Sequence, residues 1–242
     1  MPEQIEVWYL KADEASPAHP VFLDALLEHE QERAQRFYFS EDRLSFVWAR
    51  GALRLLLRHY LGSRAAAVRF VKNPFGKPEL EPESRMGCDI RFNLSHSGNH
   101  ILLAFSNRRE IGVDIERIRP HVRIAEIGAA SFCTSELLAI QALPGASQQE
   151  AFFDCWCRKE AFVKAVGKGL TIPLDSFELS LSQSVLRSTV RAAPEVAGTK
   201  AWVVQKLPVE RGCVAALAFE SGSAEGEMAS PLLELPVHGR VG

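Results

Sequence analysis

Two long stretches with apolar residues at helical spacing dominate the sequence, and a glycine closes each of them. The first covers residues 40–60 and is followed by Gly62, and the second covers residues 149–166 and is followed by Gly167. A glycine just beyond the last apolar residue is a typical helix terminator, because it adopts the left-handed backbone of a helix C-terminus without strain. The pattern therefore predicts two long helices, each facing a core along one side.

Strand-like segments follow both helices, so the chain contains an internal repeat. Residues 40–116 and residues 149–219 each hold one long helix and several strands. We therefore predict a mixed α+β (α/β) fold of two pseudo-twofold-related subdomains. In each of them a long helix packs on a small, mainly antiparallel sheet, and the cleft between them is the natural active site. The predicted boundaries are 1–118 and 119–220 for the subdomains, with a peripheral tail at 221–242.

Shorter patterned segments fill the rest of the chain. Apolar runs rich in β-branched and aromatic residues predict strands at 5–10, 68–71, 90–94, 100–105, 111–116, 177–181, 185–191, 201–206 and 213–219. Shorter helices are predicted at 20–30, at 122–130, and from 134 or 135 to just before Pro144. The short polar link Ser106–Glu110 predicts that the strands on either side of it form a hairpin.

Composition and charge exclude several classes of function. The 242 residues are 47% hydrophobic and 24% charged with a formal net charge of −2, so no basic field favours non-specific nucleic-acid binding. No apolar run approaches the roughly 20 residues that span a bilayer, and the first residues lack a signal-peptide pattern. The cysteine count is odd, five, which favours a reducing compartment. We therefore expect a cytoplasmic protein with neither nucleic-acid nor membrane partners.

Acidic and apolar residues alternate in the predicted strand Ile111–Glu116. In an extended chain Asp114 and Glu116 lie on one face, about 6–7 Å apart, while Val113 and Ile115 lie on the other. Two carboxylates in this position repel each other unless a cation lies between them or water surrounds them. The pair is therefore either the solvated face of an amphipathic edge strand or part of a cation site.

The second long helix carries charged residues beside a broad aromatic face. Lys159 falls near the middle of the apolar arc, where an ammonium group needs a partner, and Glu160 lies at the edge of that arc. Lys164 follows Glu160 by one helical turn, so the two either form an ordinary surface pair or contribute to a site. Cys155 and Cys157 lie about 200° apart around the helix and are interpreted as small apolar residues.

A polar turn follows the predicted strand at residues 90–94. The segment Phe92–Gly98 contains Ser95 and His96, and such a turn can offer hydroxyls, backbone N–H groups and an imidazole to a phosphate. His96 could equally be an ordinary hydrogen-bonded turn histidine. Neighbouring Ser and His side chains on a strand diverge, so they do not indicate a hydrolase triad. The sequence contains neither a P-loop nor a G-x-G-x-x-G motif.

Three basic residues are further candidates for phosphate contacts. The rigid turn Asn73–Pro78 is predicted to hold Lys77 out from the surface. Arg36 and Arg43 flank the start of the first long helix. Each is by default a plain surface cation, but a ligand with several phosphates needs several converging cations.

Together these segments resemble the 4′-phosphopantetheinyl transferases of the larger, internally duplicated surfactin type. The principal matching segments, in the order of that family, are Phe92–Ser97, Ile111–Glu116 and Trp156–Lys164. Further similar elements are Arg36–Tyr38, Gly76–Pro78 and Phe132–Glu136, so the resemblance covers roughly residues 30 to 180. One departure from the family pattern is the segment before Arg36, which is less basic here.

The resemblance implies transfer of the 4′-phosphopantetheine arm of coenzyme A to a serine hydroxyl of an apo carrier protein, with adenosine 3′,5′-bisphosphate as the second product. It implies Mg²⁺, or Mn²⁺ as a substitute, held by Asp114, Glu116 and Glu160. Glu160 would also act as the general base, and Lys164 would stabilise or protonate the leaving phosphate. Glu136 matches a family acid near the active cleft.

The resemblance also implies a set of coenzyme A contacts and a partner. The residues expected to contact coenzyme A are Arg36, Arg43, Lys77, Ser95, His96, Asp114 and Lys164, with His96 reaching the 3′-phosphate. The protein partner would be an acyl, peptidyl or polyketide carrier protein or carrier domain. Internal duplication predicts a monomer, because a second subunit is not needed to complete the cleft.

Two other functions remain open at the level of sequence. A metal-dependent pyrophosphohydrolase of a nucleotide such as coenzyme A would use the same three carboxylates. A non-catalytic module that binds coenzyme A or a carrier protein is the other alternative, although the retained Asp114, Glu116, Glu160 and Lys164 argue against it.

Overall fold

The computed structural model describes residues 4–16, 19–62, 68–85, 87–179, 186–221 and 232–234. The chain divides into two compact units. Unit 1 comprises Met1–Val71, Glu79–Arg108 and Met228–Gly242, and unit 2 comprises Lys72–Pro78 and Arg109–Glu227. Unit 1 gives way to unit 2 after Arg108, because the strand that follows Arg108 pairs within unit 2.

The described residues form seven α-helices. These are α1 (His19–Asp24), α2 (Glu28–Gln35), α3 (Ser40–Leu61), α4 (Ile124–Ser131), α5 (Thr134–Gln141), α6 (Gly145–Val166) and α7 (Pro194–Ala197). The long helices α3 and α6 are those predicted from periodicity, and both end at the predicted glycines, Gly62 with φ 63° and Gly167 with φ 76°. Glycine adopts positive φ values without the strain that a side chain would cause, and Gly167 has the left-handed backbone of a helix C-terminus.

The described residues also form eleven strands. These are β1 (Glu6–Lys11), β2 (Phe70–Lys72), β3 (Pro78–Leu80), β4 (Ile90–Ser97), β5 (His100–Asn107), β6 (Ile111–Arg117), β7 (Phe177–Leu179), β8 (Arg187–Ala192), β9 (Trp202–Leu207), β10 (Cys213–Glu220) and β11 (Leu233–Glu234). The two short strands β2 and β3 form a two-stranded ribbon. The nine others form the two sheets described below.

In unit 1 the helix α3 packs on a four-stranded sheet. The strand order is β11-β1-β5-β4, with an antiparallel arrangement everywhere except between β11 and β1. Leu53 and Leu57 of α3 and the alternate residues Ile101, Leu103 and Phe105 of β5 are buried in one core cluster. Alternation along β5 places these three side chains on the same sheet face, which is the face that α3 covers.

A buried ion pair also stabilises unit 1. Arg54 of α3 donates from Nε to Glu30 Oε2 at 2.5 Å and from Nη2 to Glu30 Oε1 at 2.9 Å. The Nε of Arg50 lies 3.3 Å from Glu30 Oε1. Burial raises the pKa of Glu30, but hydrogen bonds from Arg54 and Leu27 N–H and the two guanidinium charges outweigh it, so the net pKa is lowered.

In unit 2 the helix α6 packs on a five-stranded sheet. The strand order is β6-β10-β9-β8-β7, and all neighbours are antiparallel. Ala161 and Phe162 of α6 share a core cluster with Ala216 and Ala218, which are alternate residues of β10. The mixed α+β class and the packing of a long helix on a mainly antiparallel sheet are therefore confirmed in each unit.

The predicted hairpin between residues 100–105 and 111–116 is wrong. Strand β5 pairs with β1 on one edge and with β4 on the other, so neither edge is available to β6. Strand β6 instead pairs with β10, placing Asp114 opposite Ala216 and Glu116 opposite Val214. The link Ser106–Glu110 is short enough for a hairpin, but partners distant in sequence decide the pairing.

Three smaller expectations also change. The helix predicted at residues 20–30 is split into α1 and α2, because Leu27 is extended and its N–H donates to the Glu30 carboxylate at the start of α2. The strand predicted to end at residue 94 continues to Ser97. Within the predicted peripheral tail, Leu233–Glu234 pairs with β1, and the rest of the segment from residue 222 onward lies, apart from residue 232, outside the described residues.

None of the helices in the described part of the chain is both long enough and apolar enough to cross a membrane.

Candidate active site

A close approach between β6 and α6 forms the foundation of the site. Gly112 lies on the same face of β6 as Asp114 and Glu116, since these residues are two apart along the strand. A Cβ atom on Gly112 would lie 2.2 Å from the carbonyl oxygen of Ala161 and 2.3 Å from the backbone nitrogen of Ala165. Both distances are far below van der Waals contact, so only glycine allows the strand to lie this close to the helix backbone.

The close approach brings Lys164 of α6 to Asp114 of β6. Lys164 donates a hydrogen bond from Nζ to Asp114 Oδ1 at 2.6 Å. Asp114 is only 4% exposed, so the interpretation of this strand face as a solvated edge is wrong for Asp114. Since the carboxylate that Lys164 contacts is buried, Lys164 is not an ordinary surface cation either.

Glu160, one turn before Lys164, lies within electrostatic reach of both acidic residues on β6. Burial raises the pKa of the Glu160 carboxyl, and the charges of Asp114 and Glu116 raise it further, while Lys164 lowers it. Three carboxylates and one ammonium therefore share this corner of unit 2. Glu116 is the more exposed acid of the strand, and its Oε2 lies 3.8 Å from Nη2 of the solvent-exposed Arg119.

The three carboxylates lie near one another, but they are not arranged as the ligands of a single metal ion. Their nearest oxygen atoms do not all lie within 4.8 Å of one another, as the ligand atoms of one ion would. Asp114, Glu116 and Glu160 nevertheless place three carboxylates near one another. A hard cation with oxygen ligands is the chemical complement of such a group.

The thiol of Cys157 lies beside Asp114 on the buried side of the site. It donates to the carbonyl oxygen of Val214 at 3.6 Å. Burial raises the pKa of Cys157 well above its ordinary value, and the Asp114 carboxylate raises it further, so the thiol stays protonated. This agrees with the interpretation of Cys157 as a small, chemically inert core residue.

Lys77 does not extend from the surface, and that structural prediction is wrong. Its side chain is only 10% exposed. Its ammonium donates to the carbonyl oxygens of Ile111 and Ala165, at 3.1 and 3.2 Å, and to Glu110 Oε2 at 3.2 Å. The turn carries Lys77 inward because Asn73, in the same turn, is anchored to the end of α6 by a hydrogen bond from Nδ2 to Gly167 O at 2.8 Å.

Glu136 is a structural residue of the unit 2 core. It is 1% exposed, and its Oε2 lies 2.8 Å from Nζ of the completely buried Lys159. Its two oxygens also accept hydrogen bonds from the N–H groups of Cys133 and Leu179. Because every oxygen of Glu136 is already engaged inside the core, the structure argues against the role of a cleft acid.

The partner that Lys159 requires on the apolar arc of α6 is therefore Glu136. The Lys159 ammonium also donates to the carbonyl oxygens of Leu174 and Phe177, at 2.8 and 2.7 Å, and lies 4.3 Å from the ring centre of Phe177. This satisfied network ties α6 to the start of α5 and to the segment that leads into β7.

The remaining predicted site residues belong to unit 1. Arg36, just after α2, is 78% exposed and lies 3.6 Å from Glu32, and Arg43 is exposed in the first turn of α3. Ser95 and His96 are neighbours on β4, and consequently Ser95 is buried while His96 is exposed. Strand β4 extends through both residues, so the polar turn predicted to hold them begins later, at Gly98.

Comparison with known proteins identifies the family. One family model, described as the 4′-phosphopantetheinyl transferase superfamily, matches residues 110–214, and another, described as the N-terminal part of 4′-phosphopantetheinyl transferase, matches residues 15–108. The 4′-phosphopantetheinyl transferase HetI of Nostoc sp. is 33% identical over 89% of this chain and 87% of its own length. The chain belongs to the 4′-phosphopantetheinyl transferase family.

Further relatives of this transferase have similar identity. Sfp of Bacillus subtilis is 32% identical over 67% of this chain and 69% of its own length. The transferase gsp of Aneurinibacillus migulanus is 32% identical over 74% of this chain and 73% of its own length. The resemblance stated from the motifs is confirmed, and the chain is an enzyme of the 4′-phosphopantetheinyl transferase type.

Two features of the candidate site escaped prediction from the sequence. The first is Gly112, whose signal was available, because a glycine inside a strand pattern often marks a close backbone approach. The second is the inward direction of Lys77, for which the sequence carries no local signal, since its acceptors Ile111 and Ala165 are distant in the chain.

Proposed function

We propose that the chain catalyses Mg²⁺-dependent transfer of the 4′-phosphopantetheine group from coenzyme A to a serine of an apo carrier protein. The products are the holo carrier protein and adenosine 3′,5′-bisphosphate. The observation that carries this proposal is the group formed by Asp114, Glu116, Glu160 and Lys164 where β6 meets α6. Membership of the family indicates which group is transferred, and these four residues are the candidates for binding the metal ion and catalysing the transfer.

The donor set fits Mg²⁺. All three candidate ligands, Asp114, Glu116 and Glu160, are carboxylates. Burial first, and then the charges of Asp114 and Glu116, raise the pKa of Glu160, and a divalent cation relieves the repulsion among the three. Mg²⁺ commonly binds through a few carboxylates together with substrate phosphate oxygens and water, and Mn²⁺ is a suitable substitute. When bound, the ion would neutralise charge on the pyrophosphate of coenzyme A.

Glu160 is the candidate general base. Its carboxylate lies near those of Asp114 and Glu116, one helical turn before Lys164, so it can accept the proton of a hydroxyl group brought to this cluster. The oxygen of the carrier serine forms a bond to the phosphorus that bears the pantetheine arm, and the serine proton passes to Glu160 directly or through water. The bond from that phosphorus to the bridging oxygen breaks, and adenosine 3′,5′-bisphosphate leaves with the electron pair.

Lys164 is the candidate group for the leaving phosphate. Its ammonium is held at Asp114 by a 2.6 Å hydrogen bond, and a fixed positive charge stabilises negative charge that develops on an oxygen nearby. The same ammonium can donate a proton to the leaving oxygen.

We assign the coenzyme A contacts of unit 1 from the resemblance. Arg36 and Arg43 are exposed cations and His96 is an exposed imidazole, as a contact to a phosphate requires. Ser95 is buried and would contribute its hydroxyl within β4. We further propose that the protein acts in the cytoplasm, as a monomer, on an acyl, peptidyl or polyketide carrier.

An acceptor assay distinguishes the transferase from a pyrophosphohydrolase. The protein is incubated with coenzyme A, Mg²⁺ and an apo carrier protein, and the intact mass of the carrier is measured. We expect the carrier to gain the mass of one phosphopantetheine group, with one adenosine 3′,5′-bisphosphate released per carrier modified. Cleavage of coenzyme A with an unchanged carrier mass would favour the hydrolase, and a carrier panel of acyl, peptidyl and polyketide type guards against testing the wrong acceptor.

A further inference from the structure

The turn that contains Lys77 is closed upon itself. The side-chain oxygen of Asn73 accepts hydrogen bonds from the N–H groups of Phe75 and Lys77, each at 2.9 Å, and Asn73 N–H donates to the Lys77 carbonyl oxygen at 2.9 Å. Gly76 has a φ of 95°, which glycine alone adopts readily. The turn therefore presents Lys77 and the Asn73 amide as a preformed unit.

This unit caps the C-terminal end of α6. The last carbonyl groups of a helix have no N–H partner within the helix, so their hydrogen bonds must come from donors elsewhere. Lys77 Nζ donates to the carbonyl oxygen of Ala165, and Asn73 Nδ2 donates to that of Gly167. The ammonium charge also lies at the negative end of the helix dipole, where a cation is favoured.

The same ammonium holds the start of β6. Lys77 Nζ donates to the carbonyl oxygen of Ile111 at 3.1 Å and to the carboxylate of Glu110 at 3.2 Å. An ammonium group has three N–H bonds, and Ala165, Ile111 and Glu110 provide an acceptor for each of them. No N–H bond of Lys77 is left over for a phosphate of the substrate.

The residues whose carbonyl groups Lys77 binds are next in sequence to residues of the candidate site. Ile111 precedes Gly112, the residue of closest approach, and Ala165 follows Lys164 directly. A shift of the end of α6 along β6 would therefore carry Lys164 away from Asp114. Displacements of about 1 Å at a catalytic group can cost a factor of about 100 in rate.

We infer that Lys77 is a positioning residue that clamps the C-terminal end of α6 to the start of β6 and so holds Lys164 opposite Asp114. This inference rests on the proposed function for its catalytic consequence, but the clamp itself is a property of the fold. It replaces the expected role of Lys77 as a coenzyme A phosphate contact. The two roles make opposite predictions for turnover and for substrate binding.

The test compares Lys77→Met with Lys72→Met, in which an exposed lysine at the end of β2, just before the same turn, is removed. For Lys77→Met we expect a fall in kcat of about 10-fold or more with KM for coenzyme A within about 2-fold of wild type. We also expect faster amide hydrogen exchange in the peptide that covers residues 160–168. Lys72→Met should match the wild type in all three measurements.

Each other outcome overturns the inference. A rise in KM of about 10-fold with kcat and exchange unchanged would identify a phosphate contact. Faster exchange with an unchanged kcat would show that Lys77 has a purely structural role. No change in kcat, KM or exchange would show that Lys77 does not clamp α6 to β6. If Lys77→Met does not fold, Lys77→Gln, which keeps two N–H donors, is judged by the same criteria.

Hydrogen exchange separates this inference from the proposed function. If the wild type fails to modify any carrier in the acceptor assay, the proposed function is lost, whereas the exchange of residues 160–168 still reports the clamp. If the wild type is active and the exchange of the Lys77 variants equals that of Lys72→Met, the inference about the clamp is rejected and the proposed function is unaffected.

Discussion

At the scale of single residues, two similar charge pairs of α6 differ in what surrounds them. Lys164 and Asp114 meet beside two further carboxylates, those of Glu116 and Glu160. Lys159 and Glu136 lie 2.8 Å apart, but their remaining hydrogen-bonding groups are satisfied inside the core. A pair that lies among several carboxylates is a candidate for ligand binding, whereas a pair whose groups are all engaged in the core holds the fold.

Glu30 in unit 1 provides a pH prediction. Its folded-state pKa lies below the ordinary value of 4.5, so the carboxylate contributes stability that is present above that value and is lost as the pH falls through the folded-state pKa. Glu30→Gln removes the contribution and leaves Arg54 without its carboxylate. We expect the variant to be less stable than wild type at neutral pH, with a difference that narrows as the pH falls below 4.5.

Urea unfolding at a series of pH values checks this prediction. Glu28→Gln, an exposed glutamate in the first turn of the same helix, is the matched control and should show a smaller pH-dependent difference. A stability difference for Glu30→Gln that stays constant between neutral pH and pH values well below 4.5 would contradict the assigned direction of the shift.

At the scale of elements, the contact between β6 and α6 depends on the absence of one side chain. Gly112→Ala places a Cβ 2.2 Å from the Ala161 carbonyl oxygen, and because the obstacle is helix backbone it cannot rotate away. Overpacking of this kind costs about 1–3 kcal/mol or more. We expect a lower melting temperature together with a reduced kcat, since α6 carries Glu160 and Lys164.

Gly128→Ala is the matched control for this substitution. An added Cβ in α4 would meet only side-chain atoms, the nearest being Leu137 Cδ1 at 3.1 Å, and a side chain can shift by a few tenths of an ångström. Its melting temperature and kcat should stay close to those of wild type. Wild-type kcat and stability in Gly112→Ala would show that the strand can retreat from the helix without harm.

The network around Lys159 predicts a large loss of stability with no direct effect on chemistry. Lys159→Met leaves the buried Glu136 without its counter-charge, and breaking a buried pair in this way costs about 3–5 kcal/mol. Lys200→Met removes a partly exposed pair with Glu220, where the lysine is 46% exposed, and should cost at most about 1 kcal/mol. Equal unfolding free energies for the two variants in urea would contradict the structural role of Lys159.

Local patterns determine the elements well but not their partners. The two long helices and their terminal glycines, and nearly all strands, follow from periodicity and from the conformational freedom of Gly62 and Gly167. The pairing of β6 with β10 could not be predicted, because it depends on residues about a hundred positions away. The buried positions of Lys77 and Glu136 escaped prediction for the same reason.

The residues of the candidate site likewise fall into those that local sequence patterns predict and those that depend on distant partners. Asp114, Glu116, Glu160 and Lys164 were predictable because the alternation of a strand and the turn of a helix place their charges, and the order of motifs indicated the family. Lys77 and Glu136 belong to motifs that resemble the family equally well, yet the structure engages both inside the protein. Resemblance identifies a motif, and only packing identifies which of its side chains are available to a ligand.

At the scale of the whole molecule, the two units share the same architecture. Each unit packs one long helix on a mainly antiparallel sheet, but only unit 2 carries the acidic strand among the described residues. The cleft between the units, predicted as the active site, stays a prediction, as does the choice of carrier protein. A carrier panel in the acceptor assay would rank acyl, peptidyl and polyketide carriers directly.

The most direct test of the account is the rate at which an apo carrier gains the mass of one phosphopantetheine group, compared between Glu160→Gln and Glu150→Gln. Glu150 is an exposed residue of the same helix and lies outside the cluster. We expect Glu160→Gln to lose about 100-fold to 10,000-fold of the wild-type rate, as for removal of a general base, and Asp114→Asn to be similarly impaired. Glu150→Gln should retain the wild-type rate. A Glu160→Gln variant as fast as Glu150→Gln at saturating Mg²⁺ would contradict the assignment of this cluster as the active site.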